Sequence, residues 1–299
     1  MDPKQVIFIT GSSTGFGKLF AETLARHGHT VFATMRDLAG RNADNASQLR
    51  LLASRESLPL HVLELDVTND DSVDHAVRSA MDHAGRLDVV INNAGYAISG
   101  LAEATTTKQA QEILETNFFG SVRANRAVLP HMRRQRAGLL LHVSSGAGRL
   151  VLPGFGFYCA SKFALEALAE TYHYELAGQG IESCILEPGA YLTPIHGGMV
   201  PAADQTRVDT YGTANGMASK ISAALRAAAG DAQEVADAVL RIVETPVGQR
   251  KLRYRISSPA GLGLDDLNAL SASLQARTLQ AFGLTDDVKF VHRSSAGAA

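Results

Sequence analysis

Short apolar runs alternate along the chain with longer segments whose apolar residues recur at helical spacing. Such runs are typical of strands buried on both faces of a parallel sheet, with helices between them. The pattern predicts an α/β fold, a doubly wound parallel sheet of about seven strands with helices on both faces. The predicted strands are 6–9, 30–35, 61–65, 87–91, 139–144, 181–187 and 251–256, and the predicted helices include 19–25, 70–84, 107–136, 157–178 and 231–244.

The regular alternation fails between residues 190 and 220, which contain several Gly and Thr and show no clear period. Loops of this length in compact domains are often functional, so we expect a long loop with short helices that borders the substrate site. The pattern then resumes, and 265–282 reads as an amphipathic helix. We expect a single domain over 1–285 and a flexible tail over 286–299.

Composition narrows the possible partners. The 299 residues are 45% hydrophobic and 19% charged, and the formal net charge of −2 gives no general attraction to nucleic acid or anionic membranes. No apolar run approaches the ~20 residues of a membrane span. Two cysteines, Cys159 and Cys184, are too few for a disulfide framework. No signal peptide precedes the first predicted strand, so we expect a cytoplasmic protein with no nucleic-acid, membrane or metal partner.

The chemistry-bearing stretch is Tyr158-Cys159-Ala160-Ser161-Lys162, at the start of a predicted helix. A tyrosine and a lysine four residues apart lie on one face of a helix, which places an ammonium beside a phenol and favours the phenolate. Ser145 follows the predicted strand 139–144. The spacing alone also occurs by chance in many helices, so the rest of the chain must show whether a site surrounds it.

A glycine-rich turn, Gly11-Ser12-Ser13-Thr14-Gly15-Phe16-Gly17, joins the first strand to the first helix. Such a turn lets the backbone approach a pyrophosphate while the helix N-terminus supplies N–H groups. The spacing is Gly-x-x-x-Gly-x-Gly rather than Gly-x-Gly-x-x-Gly, but its place in the first β-α turn favours nucleotide binding, as in Rossmann-like sheets.

The end of the second strand, Met35-Arg36-Asp37, should face the adenosine ribose. An acid there binds the 2′-hydroxyl of NAD, whereas an arginine accommodates the 2′-phosphate of NADP. Asp37 lies about twenty residues after Gly17, where an acid is expected. Arg36, however, comes first after the apolar run, and we favour Arg36 and NADP. The alternative is an Arg36 that only pairs with a surface acid.

Two asparagine positions carry further signals. Asn92-Asn93-Ala94-Gly95 follows a predicted strand, at the edge where open α/β sheets bind ligands. Asn117 is a poor helix former inside a predicted helix. It either caps or kinks that helix or holds a water near the site.

Together these residues resemble the short-chain dehydrogenase/reductase family, in its compact single-domain branch, over about residues 5 to 256. The stretch around Tyr158 and the turn 33–37 are most similar to its steroid and retinol dehydrogenases. The elements that carry the resemblance are Thr10-Gly11-x-x-x-Gly15-x-Gly17, Asp66, Asn92-Asn93-Ala94-Gly95, Asn117, Ser145, Tyr158-x-x-x-Lys162, Pro188-Gly189 and Thr193.

The resemblance implies a role for each matching catalytic residue. Tyr158 would be the general acid–base that protonates the carbonyl oxygen, and Lys162 would lower its pKa and bind the nicotinamide ribose. Ser145 would polarise the substrate oxygen. Asn117 would hold a water that links Lys162 to solvent as a proton relay.

The resemblance also implies a cofactor site for NADP, with NAD possible. Asp66 would contact adenine, Thr193 the carboxamide, and Asn92 would support the cofactor side. The expected cofactor-binding residues are Gly11, Ser13, Thr14, Gly15, Phe16, Gly17, Arg36, Asp66, Val67, Asn93, Ala94, Gly95, Tyr158, Lys162, Pro188, Gly189 and Thr193. Thr14 departs from the basic residue that many NADP-preferring relatives carry, which weakens the NADP prediction without reversing it.

The substrate is expected to be a neutral, lipophilic ketone, aldehyde or alcohol, because the residues predicted to line the pocket are largely apolar. His196 and Arg207 could still contact a polar group, and Arg149 could lie near the site or on the surface. The predicted lining consists of Tyr96, Ile98, Leu150, Val151, Leu152, Phe155 and the loop from Tyr191 to Tyr211.

Two other functions remain open at this stage. One is a catalytically silent NADP-binding regulator, disfavoured because no member of the Asn-Ser-Tyr-Lys set is missing. The other is an epimerase or dehydratase, disfavoured by the glycine spacing and the short C-terminal part. Helices 107–136 and 157–178 could also pair with symmetry mates, so a homodimer or homotetramer is expected from the resemblance.

Overall fold

The computed structural model describes residues 4–191, 193, 198–256 and 263–291. Its main strands are β1 (Val6–Ile9), β2 (Thr30–Met35), β3 (Leu60–Glu64), β4 (Val89–Asn92), β6 (Gly138–Val143), β7 (Ile181–Pro188) and β9 (Arg253–Ile256). All neighbours pair in parallel, in the order β3-β2-β1-β4-β6-β7-β9. The predicted parallel sheet of about seven strands is confirmed. Two short strands, β5 (Ile98–Ser99) and β8 (Val200–Pro201), pair with each other outside it.

Successive residues of β1 point to opposite faces of the sheet, as the pleat requires. Ile7 and Ile9 belong to one buried apolar cluster, and Phe8 belongs to another. Both faces are therefore covered, as predicted. The helices of the described residues are α1 (Gly15–Arg26), α2 (Ala43–Glu56), α3 (Asp70–Ala84), α4 (Thr107–Leu114), α5 (Gly120–Gln135), α6 (Gly156–Glu175), α7 (Gln205–Val208), α8 (Met217–Ala227), α9 (Gln233–Glu244) and α10 (Leu264–Ala281).

The strand order reverses at β1, which pairs with β2 on one side and with β4 on the other. The loops that leave the carboxyl ends of β1 and β4 must therefore run in opposite directions across the sheet. This divergence opens a crevice, which is where open α/β sheets bind ligands.

The predicted helix 107–136 is not continuous. A π-helical turn, Glu115–Phe119, separates α4 from α5 and contains Asn117. A π-turn inserts one extra residue per turn and is often found at functional sites. The predicted helix 157–178 is α6 followed by a short 3-10 turn, Ala177–Gln179, while the prediction of 70–84 is confirmed by α3.

The predicted loop 190–220 contains more regular structure than expected in its described part. Strand β8 pairs with β5, and α8 begins at Met217. The side chain of Gln109 on α4 donates to the carbonyl of Pro201 at 2.8 Å. The segment is thus held against the loop that follows β4, over the crevice.

The last helix, α10, matches the predicted bounds 265–282 to within a residue. Unlike an ordinary amphipathic surface helix, it buries little of its apolar side-chain surface. Only Leu264 is buried, while Leu270 and Phe282 are 58% and 75% exposed. The chain then returns to the body, where Val291 N donates to the carbonyl of Ala177 at 3.0 Å. Of the predicted flexible tail, residues 292–299 lie outside the described residues. None of the described helices is long and apolar enough to cross a membrane.

Candidate active site

A cavity of about 1460 Å³ occupies the crevice at the carboxyl ends of the strands. Seventeen of the predicted site residues line this cavity, whereas Gly17 and Asn117 lie behind its wall. Those on the wall are Gly11, Ser13, Thr14, Gly15, Phe16, Arg36, Asp66, Val67, Asn93, Ala94, Gly95, Ser145, Tyr158, Lys162, Pro188, Gly189 and Thr193.

The glycine-rich turn is locked to the loop after β4 by hydrogen bonds. Asn93 Nδ2 donates to the carbonyls of Thr10 and Gly11 at 3.0 and 2.9 Å. In return, Thr10 Oγ1 accepts from the backbone N–H groups of Asn93 and Ala94, both at 3.0 Å. These bonds hold the turn open beneath the first helix.

Two glycines of the turn are required by close approach. Gly11 has φ of +72°, and a Cβ there would lie 2.7 Å from Ala94 Cα. A Cβ on Gly17 would lie 2.5 Å from Asn93 Nδ2 and closer still to the carbonyl of Gly11. Gly17 therefore shapes the turn from behind rather than by lining the cavity. Thr14, the N-cap of α1, makes no side-chain capping bond, so the first-turn N–H groups have no side-chain acceptor there.

The turn after β2 places Arg36 and Asp37, the two candidates for contact with the adenosine ribose, in different surroundings. Asp37 adopts a positive φ of 54°, and its Oδ2 accepts from Arg41 N at 2.9 Å. The carboxylate is thus used within its own turn and does not line the cavity. Arg36 and Arg41 both line it, and neither forms an ion pair with any described residue. The sequence analysis missed Arg41. Two arginines five residues apart around a Gly-containing turn could have predicted that both line the cavity.

At the end of β3, Asp66 and Val67 form the edge of the cavity. One carboxylate oxygen of Asp66 accepts from the N–H and the hydroxyl of Thr68, at 2.9 and 2.8 Å. Asp66 N donates to Ser72 Oγ at 2.9 Å. This network fixes the predicted adenine-contacting residue at the mouth of the crevice.

Ser145 and Tyr158 form a hydrogen-bonded pair at the end of β6 and the start of α6. Burial raises the pKa of Tyr158 above its ordinary value, and the bond with Ser145 opposes this rise. Lys162 Nζ donates to the carbonyl of Val143 at 2.7 Å and lies 5.9 Å from the centroid of the Tyr158 ring. The expected lowering of the Tyr158 pKa by Lys162 stays a prediction.

Lys162 itself is almost fully enclosed, with 5% of its surface exposed. Burial lowers the pKa of its ammonium group to about 8, and the negative charge of Glu166 opposes this change. A lysine in such a position changes its charge near the pH at which enzymes work, as catalytic groups often do.

Asn117 is buried and its side chain is fully committed. Its Oδ1 accepts from Tyr96 N at 3.0 Å, and its Nδ2 donates to the carbonyl of Tyr96 at 2.9 Å and to Ser161 Oγ at 3.0 Å. Asn117 lies in the π-turn, as expected of a residue that kinks the helix, and its role in holding a water stays a prediction. Its side chain ties the loop after β4 to the helix of Tyr158 and Lys162.

Asn92 does not face the cofactor side, and that expectation is wrong. Its Nδ2 donates to Asn125 Oδ1 at 2.8 Å and approaches His142 Nδ1 at 3.4 Å. Asn92 is the last residue of β4, and the pleat turns it into the interior while the next residue, Asn93, turns to the crevice.

The far wall of the cavity is largely apolar. Tyr96, Ile98, Leu150, Leu152 and Phe155 line it as predicted, whereas Val151 is 69% exposed and does not. Met199 and Val200, from the predicted loop 191–211, also line it, together with three residues that the sequence analysis did not single out: Ile221, Leu225 and Leu264.

Two other candidates, Arg207 and Arg149, lie elsewhere. Arg207 pairs with Glu103 and Asp204 at the surface. Arg149 is neither in the cavity nor on the open surface, since its Nε donates to Asn268 Oδ1 at 2.9 Å. His196 lies outside the described residues. Among the residues that the structure describes, no group of His, Cys, Asp or Glu side chains could hold a metal ion.

Comparison with known proteins agrees with this arrangement. The model of the short chain dehydrogenase family matches residues 5–203. The chain is 40% identical over 189 residues to a 3-ketodihydrosphingosine reductase of Bacteroides thetaiotaomicron, covering 63% of this chain and 65% of that protein. It is 36% identical over 202 residues to retinol dehydrogenase 8 of Bos taurus, covering 66% and 62%. The matches thus span less than two thirds of each relative's length.

Solved structures with this fold agree. A short-chain dehydrogenase from Streptomyces avermitilis has a TM-score of 0.74 and 29% identity, covering 97% of this chain and all of that one. An alcohol dehydrogenase from Thermococcus sibiricus, complexed with 5-hydroxy-NADP, has a TM-score of 0.70 and 25% identity over 86% and 97%. The protein belongs to the short-chain dehydrogenase family.

The packing of the glycine turn can be tested without any ligand. Gly17→Ala should lower the free energy of unfolding by about 1–3 kcal/mol, because the new methyl group overpacks the contact with Gly11 and Asn93. Gly178→Ala is the matched control, since no atom lies within 4 Å of a Cβ at that position. Urea unfolding followed by circular dichroism measures both. Equal stability of the two variants would contradict the close approach.

Proposed function

We propose that the protein is an NADP(H)-dependent oxidoreductase that interconverts a ketone or aldehyde and an alcohol on a neutral, lipophilic small molecule. The observation that carries the proposal is one cavity that holds three parts together. The Ser145–Tyr158 pair and Lys162 lie on one wall, an arginine-bearing turn lies at one end, and an apolar wall lies opposite.

The arginine pair supports NADP rather than NAD. Arg36 and Arg41 line the cavity without an acidic partner among the described residues, while Asp37 is occupied by the backbone of Arg41. Two free guanidinium groups suit the 2′-phosphate, and a carboxylate turned away cannot bind a 2′-hydroxyl. The glycine turn fits the pyrophosphate, because it lines the cavity at the start of α1, where no side chain caps the N–H groups of the first turn.

When bound, the nicotinamide supplies or accepts the hydride, and the protein supplies position and proton transfer. Tyr158 holds the proton that passes to or from the substrate oxygen. Ser145 bonds to the Tyr158 hydroxyl and makes it a stronger acid than burial alone allows. Lys162, held by the carbonyl of Val143, presents a positive charge beneath this pair. For Asn117 we propose a supporting role for the side chain, because its hydrogen bonds go to Tyr96 and Ser161.

The charges around the substrate wall support a neutral substrate. The charged side chains of this wall are paired, which leaves no free charge to bind an ionic group. Glu115 pairs with Arg123 at 2.8 Å, and Lys108 with Glu112 at 3.8 Å. The remaining two pairs are Arg255 with Asp265 and Glu187 with Arg253. The other residues of this wall are largely apolar.

The homodimer or homotetramer and the cytoplasmic location stay predictions. Phe119 and Phe163 are 43% and 40% exposed, on the segments α4 to α6 that were expected to meet a second copy.

Replacement of the acid–base group tests the reaction. Tyr158→Phe should reduce kcat/KM by about 10²–10⁴-fold, because no proton remains at the substrate oxygen. The Kd for NADPH should stay within twofold, roughly 0.4 kcal/mol. Activity is followed by NADPH absorbance on a panel of neutral lipophilic ketones and aldehydes. Tyr174→Phe, on the same helix but bonded to Glu170 outside the cavity, is the control and should behave as the wild type. Unchanged turnover in the Tyr158 variant would refute the assignment.

The arginine pair makes a separate prediction. Arg36→Ala and Arg41→Ala should each weaken NADP binding by about 10- to 100-fold, since each removes one charged hydrogen-bond donor. NAD binding should change little. Isothermal titration with both cofactors measures the difference, and Arg55→Ala, whose exposed side chain pairs with Glu56, serves as the control. Equal losses for NAD and NADP would contradict the assignment of this turn to the 2′-phosphate.

A further inference from the structure

Two buried carboxyl groups lie next to the proposed catalytic residues, Glu166 behind the cavity wall and Glu187 on it, and neither has a part in the proton transfer described so far. Glu166 is one helical turn after Lys162 on α6, and Glu187 is the residue before Pro188 at the end of β7. Their exposed fractions are 2% and 1%. Burying a carboxylate is costly unless it is paired and hydrogen-bonded, so their contacts must explain them.

Glu166 is held on both oxygens. Ser144 Oγ donates to Oε1 at 2.8 Å, and Arg253 Nε lies 3.3 Å from Oε2. The guanidinium of Arg149 is further off, at 3.9 Å. Ser144 is the immediate neighbour of Ser145, so the carboxyl group touches the strand end that carries the catalytic serine.

Glu187 shares these partners. Its Oε1 lies 3.4 Å from Arg253 Nε, and its Oε2 accepts from Asn268 Nδ2 at 2.7 Å. Oxygens of both carboxyl groups therefore approach the same Arg253 Nε. Two buried carboxylates this close repel each other, which favours a proton on one of them.

The charges of the cluster link Glu166 to Lys162. Three carboxyl groups, Glu166, Glu170 and Glu187, face two guanidinium groups, Arg149 and Arg253. The Lys162 ammonium is the third positive charge, so the cluster is balanced when Glu166 and Lys162 are both charged or both neutral. Burial and the charge of Glu187 raise the pKa of Glu166 to about 7, which makes Glu166 the group that carries the proton and loses it near neutral pH.

The Glu166 carboxylate stabilises the protonated form of Lys162. The bond to the carbonyl of Val143 satisfies one of its three donors, and Glu166 is the charged group that favours its ammonium form. His142, on β6, is neutral and adds no charge near Lys162, because burial and the charge of Lys162 lower its pKa to about 3.

We propose that Glu166 is a positioning residue that maintains the positive charge of Lys162, and that the proton it binds beside Glu187 makes this support dependent on pH. Once Glu166 ionises, its carboxylate keeps Lys162 protonated to higher pH than burial alone would allow. The proposal rests on the function proposed above for Lys162. The titratable and charged groups that face Glu166 and Lys162 from the elements packed around them are His142, Arg149, Tyr158, Glu170, Glu187 and Arg253.

The test replaces the carboxyl group by an amide of the same shape. In Glu166→Gln the alkaline limb of the kcat/KM profile should move to lower pH by about one unit, because loss of a nearby negative charge lowers the pKa of Lys162. Glu170→Gln is the matched control: it lies on the same helix and pairs with Arg253 at 2.6 Å, but one turn further from Lys162. Its profile should match the wild type.

A second readout does not depend on activity. The ¹³Cε signal of Lys162, assigned by its absence in Lys162→Arg, reports the pKa of the ammonium group directly, and this pKa should fall in Glu166→Gln by the same amount. If wild-type protein reduces no carbonyl compound, the proposed function fails, while the NMR titration still decides the inference.

Stability of the variant does not limit the test. Should Glu166→Gln not fold, Ser144→Ala removes the hydrogen bond that holds the pKa of Glu166 down. Glu166 then keeps its proton to higher pH, and the Lys162 pKa should shift downward by a smaller amount. An unshifted Lys162 pKa in the folded variant, or an equal shift in Glu170→Gln, would overturn the proposal.

Discussion

The hydrogen bonds between Asn93 and Thr10 are the constraint on which the site depends. They join the loops that leave β1 and β4, the two strands between which the sheet reverses direction. Both loops would otherwise expose several backbone groups without partners. Because Asn93 bonds to the carbonyl of Gly11, the glycine turn stays open toward the cavity, and Gly17 can approach from behind. The cofactor end of the cavity is thus shaped before any ligand arrives.

The sheet and most of the wall of the cavity could be predicted from the sequence, since buried parallel strands leave continuous apolar runs and the loops after them must meet at one edge. The direction of single side chains could not. Asn92 and Asn93 are adjacent and chemically identical, yet the pleat sends one to the interior and the other to the crevice. Arg36 and Asp37 were separated only by the positive φ of Asp37, which the one-dimensional pattern does not show.

The cluster of buried charged residues behind Lys162 could not be predicted from the sequence, for a different reason. Glu166, Glu187, Arg253 and Asn268 come from α6, β7, β9 and α10, and nothing in their local sequence links them. Only the parallel pairing of β7 with β9 brings Arg253 between the two acids. Local patterns also did not show the burial that raises the Tyr158 pKa, because helical spacing reports which residues are neighbours and says nothing about how much water surrounds them.

The contacts of Asn268 bear on how the chain matures during synthesis. Its amide bridges Arg149 and Glu187, so the wall behind Lys162 receives its last polar partner from α10. A nascent chain that ends before this helix already contains Ser145, Tyr158 and Lys162. In that chain, water has to donate to Glu187 Oε2 in place of Asn268. The hydrogen bonding of the buried charges beneath the catalytic residues is therefore completed only after the rest of the fold has been translated.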